Sequence, residues 1–378
     1  MKNSDKTWLE VSAADLRANA TGLKRVAGSA ALMAVVKSNA YGHGTATVVK
    51  ALAKQADWFA VDSVKEADEV RAAGAKQPVL VLGYTLRDLM PHAVSRGYSL
   101  TIYHGESVAA LAKIATPKRP AKVHLKIETG TSRQGARPED LESLVRNIRR
   151  AKNIVIEGVS THFANIEDTT DHSYAARQLS RFILTLRKLE GLGVRPEVVH
   201  TACSAAAILF PDTHFNAVRS GIAIYGLWPS GETKVSARAL DRDLELRPAL
   251  TWKTVVAQVK PLPKGTPVSY GLTEKVERDS RVAVLPVGYW DGLDRKLSSV
   301  GYALVRGRRA KILGRVCMNM CVIDVTDIPN VQVEDEVVLL GRQGRETITA
   351  EEIAKKIGTI NYEVVTRINP TLPRRLVA

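Results

Sequence analysis

Cysteine is nearly missing from this chain: Cys203, Cys317 and Cys321 are the only three among 378 residues. So small and odd a number makes no disulfide framework and fits a reducing compartment. Cys317 and Cys321 stand four apart with no second pair and no histidine cluster beside them, so no metal site is expected. Aromatic residues are scarce at 5%, too few for a set of base-stacking platforms. No run reaches the ~18 apolar residues of a spanning helix, so no membrane partner is expected. Met1 to Glu10 lack the apolar stretch of a secretory leader, and with the cysteine usage this predicts a cytoplasmic protein. Acidic residues are outnumbered, 39 against 54 basic, for a formal net charge of +15. The excess is spread along the chain. Clusters such as Arg306, Arg308, Arg309 and Lys311 are short, so no nucleic-acid partner is expected. A small anionic ligand needs only a few of these charges.

What remains is an ordinary globular composition, 45% apolar and 25% charged, at a length that suits two domains. Through the first two hundred or so residues, short apolar runs alternate with helical spacing. The runs are Leu32–Val36, Trp58–Val61, Pro78–Leu82, Ser99–Tyr103, Lys122–Ile127, Ile154–Thr161, Glu197–Thr201 and Phe215–Arg219. Ser63–Ala73, a segment opened by Pro138-Glu139-Asp140, and Tyr174–Leu189 read as helices between them. Eight buried strands with crossover helices predict a (β/α)8 TIM-type barrel, an α/β fold, in preference to a doubly wound sheet. The rhythm stops near residue 240, where Ser236–Arg247 reads as a charged connector. Leu250–Val259, Arg281–Pro286, Ala303–Val305, Met320–Val325 and Glu336–Leu340 then predict a mainly-β domain, with a capped helix over Thr349–Ile357. The expected domains are 1–240, whose first ten or so residues pack with the second domain, and 241–378.

On a barrel the chemistry belongs at the C-terminal ends of the strands. The first such end reads Val35-Val36-Lys37-Ser38-Asn39-Ala40-Tyr41-Gly42-His43-Gly44. A lysine there can condense with a carbonyl cofactor as a Schiff base, because partial burial frees its amine. It can equally be a lysine leaving the core for solvent. The last two ends carry Thr201-Ala202-Cys203-Ser204-Ala205 and Arg219-Ser220-Gly221-Ile222. Loops after strands seven and eight often hold phosphate through backbone donors, and Ser204, Gly221 and Ile222 are suitably placed. A strand-one lysine and a phosphate cradle together suggest pyridoxal 5'-phosphate.

The stretch Ala34–Gly44 resembles the cofactor-lysine signature of the alanine racemases. The similarity continues through Lys126–Gly135, Thr161-His162-Phe163-Ala164 and Arg219–Gly226. It extends in order to Ser269-Tyr270-Gly271, Val287–Gly292, Gly314–Met318 and Gly358–Glu363. Each piece alone is weak or moderate; the ordered set across nearly the whole chain is specific. The resemblance implies a homodimer with shared active sites, in which the C-terminal β domain of each chain completes its partner's site. It implies two-base interconversion of L- and D-alanine, a small amino-acid substrate, supplying D-alanine for peptidoglycan.

Roles follow by the same resemblance. Lys37 carries the cofactor and handles the D-alanine proton; Tyr270 of the partner handles the L-alanine proton. His162 and Arg219 form a hydrogen-bond chain near that tyrosine, and Arg219 faces the pyridine nitrogen. Tyr41, Ser204, Gly221, Ile222 and Tyr362 contact phosphate. Arg133 and the Met318 amide contact substrate, and Tyr289 lines the entrance. Lys126 matches a lysine that some members carry as a carbamate. The chain departs from the family pattern at Asn319, where aspartate is frequent, at Thr131, Ser132 and Gln134, and at Trp290; these bear on selectivity and entrance shape. The readings that compete are a racemase of another small amino acid such as serine, a decarboxylase of the same architecture, and a single-barrel cofactor carrier. Arg219 and the Tyr270 motif argue against the decarboxylase, and the second domain argues against the carrier.

Overall fold

A computed structural model describes residues 5–242 and 244–378. The chain divides into two compact units. One is Asp15–Ala40 with Val48–Arg247; the other joins the chain up to Ala14, Tyr41–Thr47 and Pro248–Ala378.

The first unit is the barrel. After strand β1 (Thr7–Ser12), which belongs to the other unit, come β2 (Ala31–Val35), β3 (Trp58–Val61), β4 (Val79–Val81), β5 (Ser99–Ile102), β6 (Ala121–Lys126), β7 (Ile154–Ser160), β8 (Val198–His200) and β9 (Ala217–Ser220). All eight predicted runs hold strands, with most ends trimmed or shifted by one or two residues. They pair in parallel in the order β8-β7-β6-β5-β4-β3-β2-β9. The seam between β8 and β9 has no ladder. Single backbone bonds cross it instead, Asn216 N–H to the Val199 carbonyl at 3.4 Å and Arg219 N–H to that of Ala202 at 3.0 Å. Strands such as Leu32-Met33-Ala34 are wholly buried, because helices cover the outside while side chains fill the inside.

The helices obey their end signals. Ser63 caps Val64–Ala72 in a reciprocal box with Glu66, satisfying backbone donors that the first turn leaves unpaired. Leu141–Arg150 follows the Pro138-Glu139-Asp140 start, and the long amphipathic segment is Ser173–Gly191. The expected connector is different: its start is the last turn of a helix, Gly231–Ala239, capped by the Ser230 side chain. Of its described charges only Arg238 lies on that helix; Asp241, Arg242, Glu245 and Arg247 follow it in irregular chain.

The second unit is built on one ten-stranded, mainly antiparallel sheet. Its order is Gln258–Leu262, Ser280–Leu285, Cys321–Asp324, Arg308–Leu313, Tyr302–Val305, Glu336–Gln343, Leu250–Val255, β1 and Arg374–Val377, with Glu346–Ile348 beside Glu336–Gln343. β1 pairs antiparallel with Leu250–Val255, Leu9 opposite Trp252. The expected continuous run Leu250–Val259 breaks at Val256-Ala257. There the backbone bonds to Asp335 and Val284 divide the run between two neighbours. The helix Ala350–Ile357 is capped by Thr349, whose hydroxyl accepts from Glu352 N–H at 3.1 Å. Among the described residues no helix is long and apolar enough to cross a membrane.

Candidate active site

At the C-terminal end of β2, Lys37 opens an unusual turn. Ser38, Asn39, Ala40 and Tyr41 all have φ between 51° and 55°, one turn of left-handed helix made without glycine. Such backbone costs about 1–2 kcal/mol per residue. Local contacts offset it. The Ser38 N–H donates to Glu66 Oε1 at 2.6 Å, and Ala40 N–H reaches the Val36 carbonyl at 3.0 Å with its methyl fully buried. The turn fixes where Lys37 leaves the strand. Its ammonium is partly exposed, 3.9 Å from Asp62 Oδ1.

Cations gather across the mouth. Arg219, near the end of β9, is buried. It donates to the carbonyls of Thr161, His200 and Thr201, each at 2.8 Å, to His200 Nδ1, and approaches His162 Nδ1 at 3.4 Å. Among the described residues it has no ion-pair partner. Burial brings its pKa down to about 10, so it remains a cation at neutrality. Lys126 ends β6. Burial, then the charges of Arg219, Arg133 and Lys37, hold its ammonium well below the ordinary lysine range. His162, just past β7, is likewise pushed well below the usual imidazole value by burial and by Lys126, Arg219, Arg133 and Lys37; it is neutral. The barrel mouth is a field of cations with a neutral imidazole, a setting for an anion.

The Arg133 loop is organised by one carboxylate. Glu128 accepts from the N–H groups of Gly130 (2.5 Å), Thr131 (2.7 Å) and Arg133 (3.3 Å). Burial opposes its charge, but these donors prevail and lower its pKa. Gln178, which sequence reasoning missed, ties this loop to the next. From the helix Ser173–Gly191 its amide accepts from Ala164 N–H at 2.9 Å and donates to Thr129 Oγ1 at 3.2 Å and to the His162 carbonyl at 3.0 Å. Nothing in the sequence marks it except a polar residue on the apolar face of an amphipathic helix.

After β8, Ser204 begins the helix Ser204–Leu209. Its hydroxyl accepts from the N–H of Gly221 at 3.0 Å and of Ala223 at 3.4 Å. The serine and the Gly221-Ile222 backbone therefore form one small polar patch, with the Gly221 N–H turned to the Ser204 hydroxyl. The barrel thus brings together Lys37, Lys126, Arg133, His162, Ser204, Arg219, Gly221 and Ile222.

The remaining expected residues lie in the β unit. Tyr41 and Tyr362 are neighbours there, ring centroids 6.2 Å apart. Gly42 permits this: a Cβ on it would meet the Val365 carbonyl oxygen at 1.9 Å. Tyr270, Tyr289 and Met318 line one open cleft of about 490 Å³ with Arg295 and Arg315. Tyr270 is 74% exposed, displayed on a strained turn. Ser269 has φ 65° and ψ −172°, a region otherwise left to glycine and costing about 1–3 kcal/mol. The Ser269 hydroxyl donates to the Arg315 carbonyl at 2.6 Å and so holds it. Opposite, the Tyr289 and Trp290 N–H groups donate to the Cys317 and Met318 carbonyls, both at 2.9 Å. Gly288 allows the approach, since a Cβ there would stand 2.2 Å from the Cys317 oxygen. Asn319 lines the same cleft.

Fold and site define a class: a (β/α)8 barrel carrying a lysine at a cationic mouth, followed by a β domain that displays a tyrosine. Comparison with known proteins is more particular. Residues 11–229 match the model of the alanine racemase N-terminal domain and residues 249–376 that of the C-terminal domain. The chain is 40% identical over 375 residues to the alanine racemase of Methanococcus maripaludis, covering 98% of both. It is 42% identical over 370 residues to that of Symbiobacterium thermophilum, covering 97% of this chain and 96% of the relative. Among solved structures it is similar to alanine racemase from Bacillus anthracis with bound L-Ala-P (TM-score 0.92, 36% identity, covering 100% of this chain and 96% of that one). It is also similar to the enzyme of a D-cycloserine-producing Streptomyces lavendulae (TM-score 0.91, 35% identity, 100% and 98%). The chain belongs to the alanine racemase family.

Proposed function

We propose that this protein is an alanine racemase that interconverts L- and D-alanine with pyridoxal 5'-phosphate, working in the cytoplasm as a homodimer and supplying D-alanine for peptidoglycan. What carries the reading is the presence in one chain of Lys37 at a cationic barrel mouth and of Tyr270 displayed by the β unit.

The residues present fit the cofactor. Lys37 is the amine that would hold its carbonyl carbon. Ser204, the Gly221-Ile222 backbone, Tyr41 and Tyr362 supply neutral donors for its phosphate. Arg219, free of any ion pair among the described residues, offers N–H donors and no acceptor to a ring nitrogen. When bound, the cofactor supplies an electron sink that acidifies the substrate Cα–H. Arg219 keeps its proton, so it would donate to a ring nitrogen without protonating it, and the sink would be modest. That limits charge spread to other carbons.

Proton handling falls to two residues. Racemisation needs one group on each face of a planar carbon. Lys37 removes or returns the proton on the face that gives D-alanine. Tyr270, from the partner chain, does so on the face that gives L-alanine. A free tyrosine, of pKa about 10, is a poor base at neutrality; the cations of the barrel mouth would favour its phenolate. His162, neutral and next to Arg219, is the residue that would orient it. Arg133 binds the substrate carboxylate as a planar fork, with the partner's Met318 N–H as a second donor, and Tyr289 narrows the entrance. Burial and the neighbouring cations disfavour the Lys126 ammonium, and the free amine is the form of lysine that can add carbon dioxide. As a carbamate it would become an anion beside Arg133.

The homodimer rests on the exposed face of the β unit. Tyr270, Met318 and Met320, which line the cleft, are each more than half exposed, as are Leu272 and Trp290; exposed apolar side chains of this kind suit cover by another chain. The test is incubation of the cofactor-loaded protein with L-alanine in heavy water. Loss of optical rotation together with deuterium at Cα is expected; retention of both rotation and Cα–H would overturn the assignment.

A further inference from the structure

Behind Arg219 a line of buried polar groups runs down the barrel, and the mechanism above does not use it. Arg219 Nη1 meets His200 Nδ1. His200 Nε2 lies 2.8 Å from His124 Nδ1, and His124 Nε2 lies 3.3 Å from Glu157 Oε2. Glu157 is anchored further by the Ser99 hydroxyl and by Lys122 Nζ at 2.9 Å, whose side chain reaches solvent. Both imidazoles are wholly buried and Glu157 is 7% exposed. The barrel makes room for the line: a Cβ on Gly158 would stand 2.3 Å from His124 Nδ1, and Trp58 packs edge-on against the same ring.

Only one assignment of protons satisfies every link. A guanidinium donates and never accepts, so His200 Nδ1 is an acceptor. The His200 proton therefore sits on Nε2 and is given to His124 Nδ1. The His124 proton then sits on Nε2 and is given to Glu157, which accepts as a carboxylate. Burial and Arg219 keep both rings neutral. Arg219 at one end and Glu157 at the other are thus a cation and an anion joined through two imidazoles instead of in direct contact.

We propose that Glu157, acting through His124 and His200, fixes the orientation and hydrogen-bond polarity of the Arg219 guanidinium, and is a positioning residue for the arginine at the barrel mouth. A direct carboxylate partner would occupy the guanidinium edge that a ring nitrogen needs. The relay stabilises the charge from behind; with Nη1 and Nη2 donating to His200, Thr161 and Thr201, Nε–H is the donor left for a ring nitrogen. Lys122 and Ser99 hold Glu157 but lie outside the line. The effect on racemisation rests on the function proposed above; the proton positions do not.

The test uses the cofactor-loaded protein labelled with 15N-histidine. Long-range proton–nitrogen correlations are expected to show His124 and His200 both neutral and both protonated on Nε2. A proton on Nδ1 of either ring, or a doubly protonated ring, overturns the relay. These signals are read whether or not the protein racemises alanine, so the two readings fail separately. In Glu157→Gln, kcat for L-alanine is expected to fall about tenfold, the scale on which outer partners of an imidazole act, with KM within twofold, because Arg219 does not bind the substrate carboxylate. Lys122→Met removes the ion pair and keeps the relay, and should hold kcat within twofold of the unsubstituted protein. Equal losses in the two variants would make Glu157 a structural ion-pair residue and contradict the proposal.

Discussion

Gln178 Nε2 donates to the carbonyl of His162 at 3.0 Å, while its Oε1 accepts from Ala164 N–H at 2.9 Å. One buried amide thereby spans the loop after β7 and, through Thr129, the loop after β6. Gln178→Leu preserves volume and removes every one of these bonds. Buried groups left unpaired cost about 1–3 kcal/mol each. We expect urea unfolding to show a loss of ~2–4 kcal/mol, and kcat to fall with it because His162 and Arg133 lose a common support.

Gly158 against His124 gives a steric prediction. With only 2.3 Å available to a Cβ, Gly158→Ala must displace the ring or the strand. Overpacking of this kind costs about 1–3 kcal/mol, to be read as a lowered thermal midpoint. An unchanged midpoint would mean that the ring moves freely and is not fixed.

The left-handed turn after Lys37 makes a third. Ser38 is exposed with φ 55°, so its substitution tests the backbone alone. Ser38→Val should cost ~1–2 kcal/mol and Ser38→Gly nothing or less. If both variants unfold at the same urea concentration, the turn is not strained.

Acid should destabilise this protein early. His124, His162 and His200 all have pKa values below the ordinary 6.5, chiefly through burial. A group depressed on folding stabilises the fold above its unfolded value and loses that contribution as pH falls. Each of the three therefore removes up to about 1.4 kcal/mol per pH unit below ~6.5. Glu157 adds to this lower down. Burial would raise its pKa, but bonds from His124, Ser99 and Lys122 bring it to about 2. Its contribution is complete above the ordinary 4.5 and lost towards 2. Unfolding free energy measured from pH 7.5 to 4 should fall continuously from about pH 6.5; a flat profile down to pH 5 would contradict the buried neutral imidazoles.

Much of the barrel was legible because its strands are short, β-branched and buried on both faces, so each stands out from the helices around it. The β unit was harder. Arg308–Leu313 escaped notice because Arg308, Arg309 and Lys311 are exposed while Ala310 and Ile312 are buried; its charges read as a cluster before its alternation reads as a strand. The site residues were legible through family motifs, whereas His124, His200, Glu157 and Gln178 were not. Their partners lie 14 to 76 residues away in sequence, and only strand register and the packing of the helix Ser173–Gly191 bring them together. Nor does any local signal show that Tyr41–Thr47 joins the β unit, where Tyr41 meets Tyr362.

The central claim is that two different residues serve the two faces of the substrate carbon. Tyr270→Phe removes one hydroxyl and leaves Lys37 in place. The direct measurement is proton–deuterium exchange at Cα of each alanine enantiomer, followed separately in heavy water with this variant. The account predicts that D-alanine continues to exchange through Lys37 while exchange of L-alanine and racemisation are lost. Equal loss of exchange for both enantiomers, or full retention for both, would contradict it.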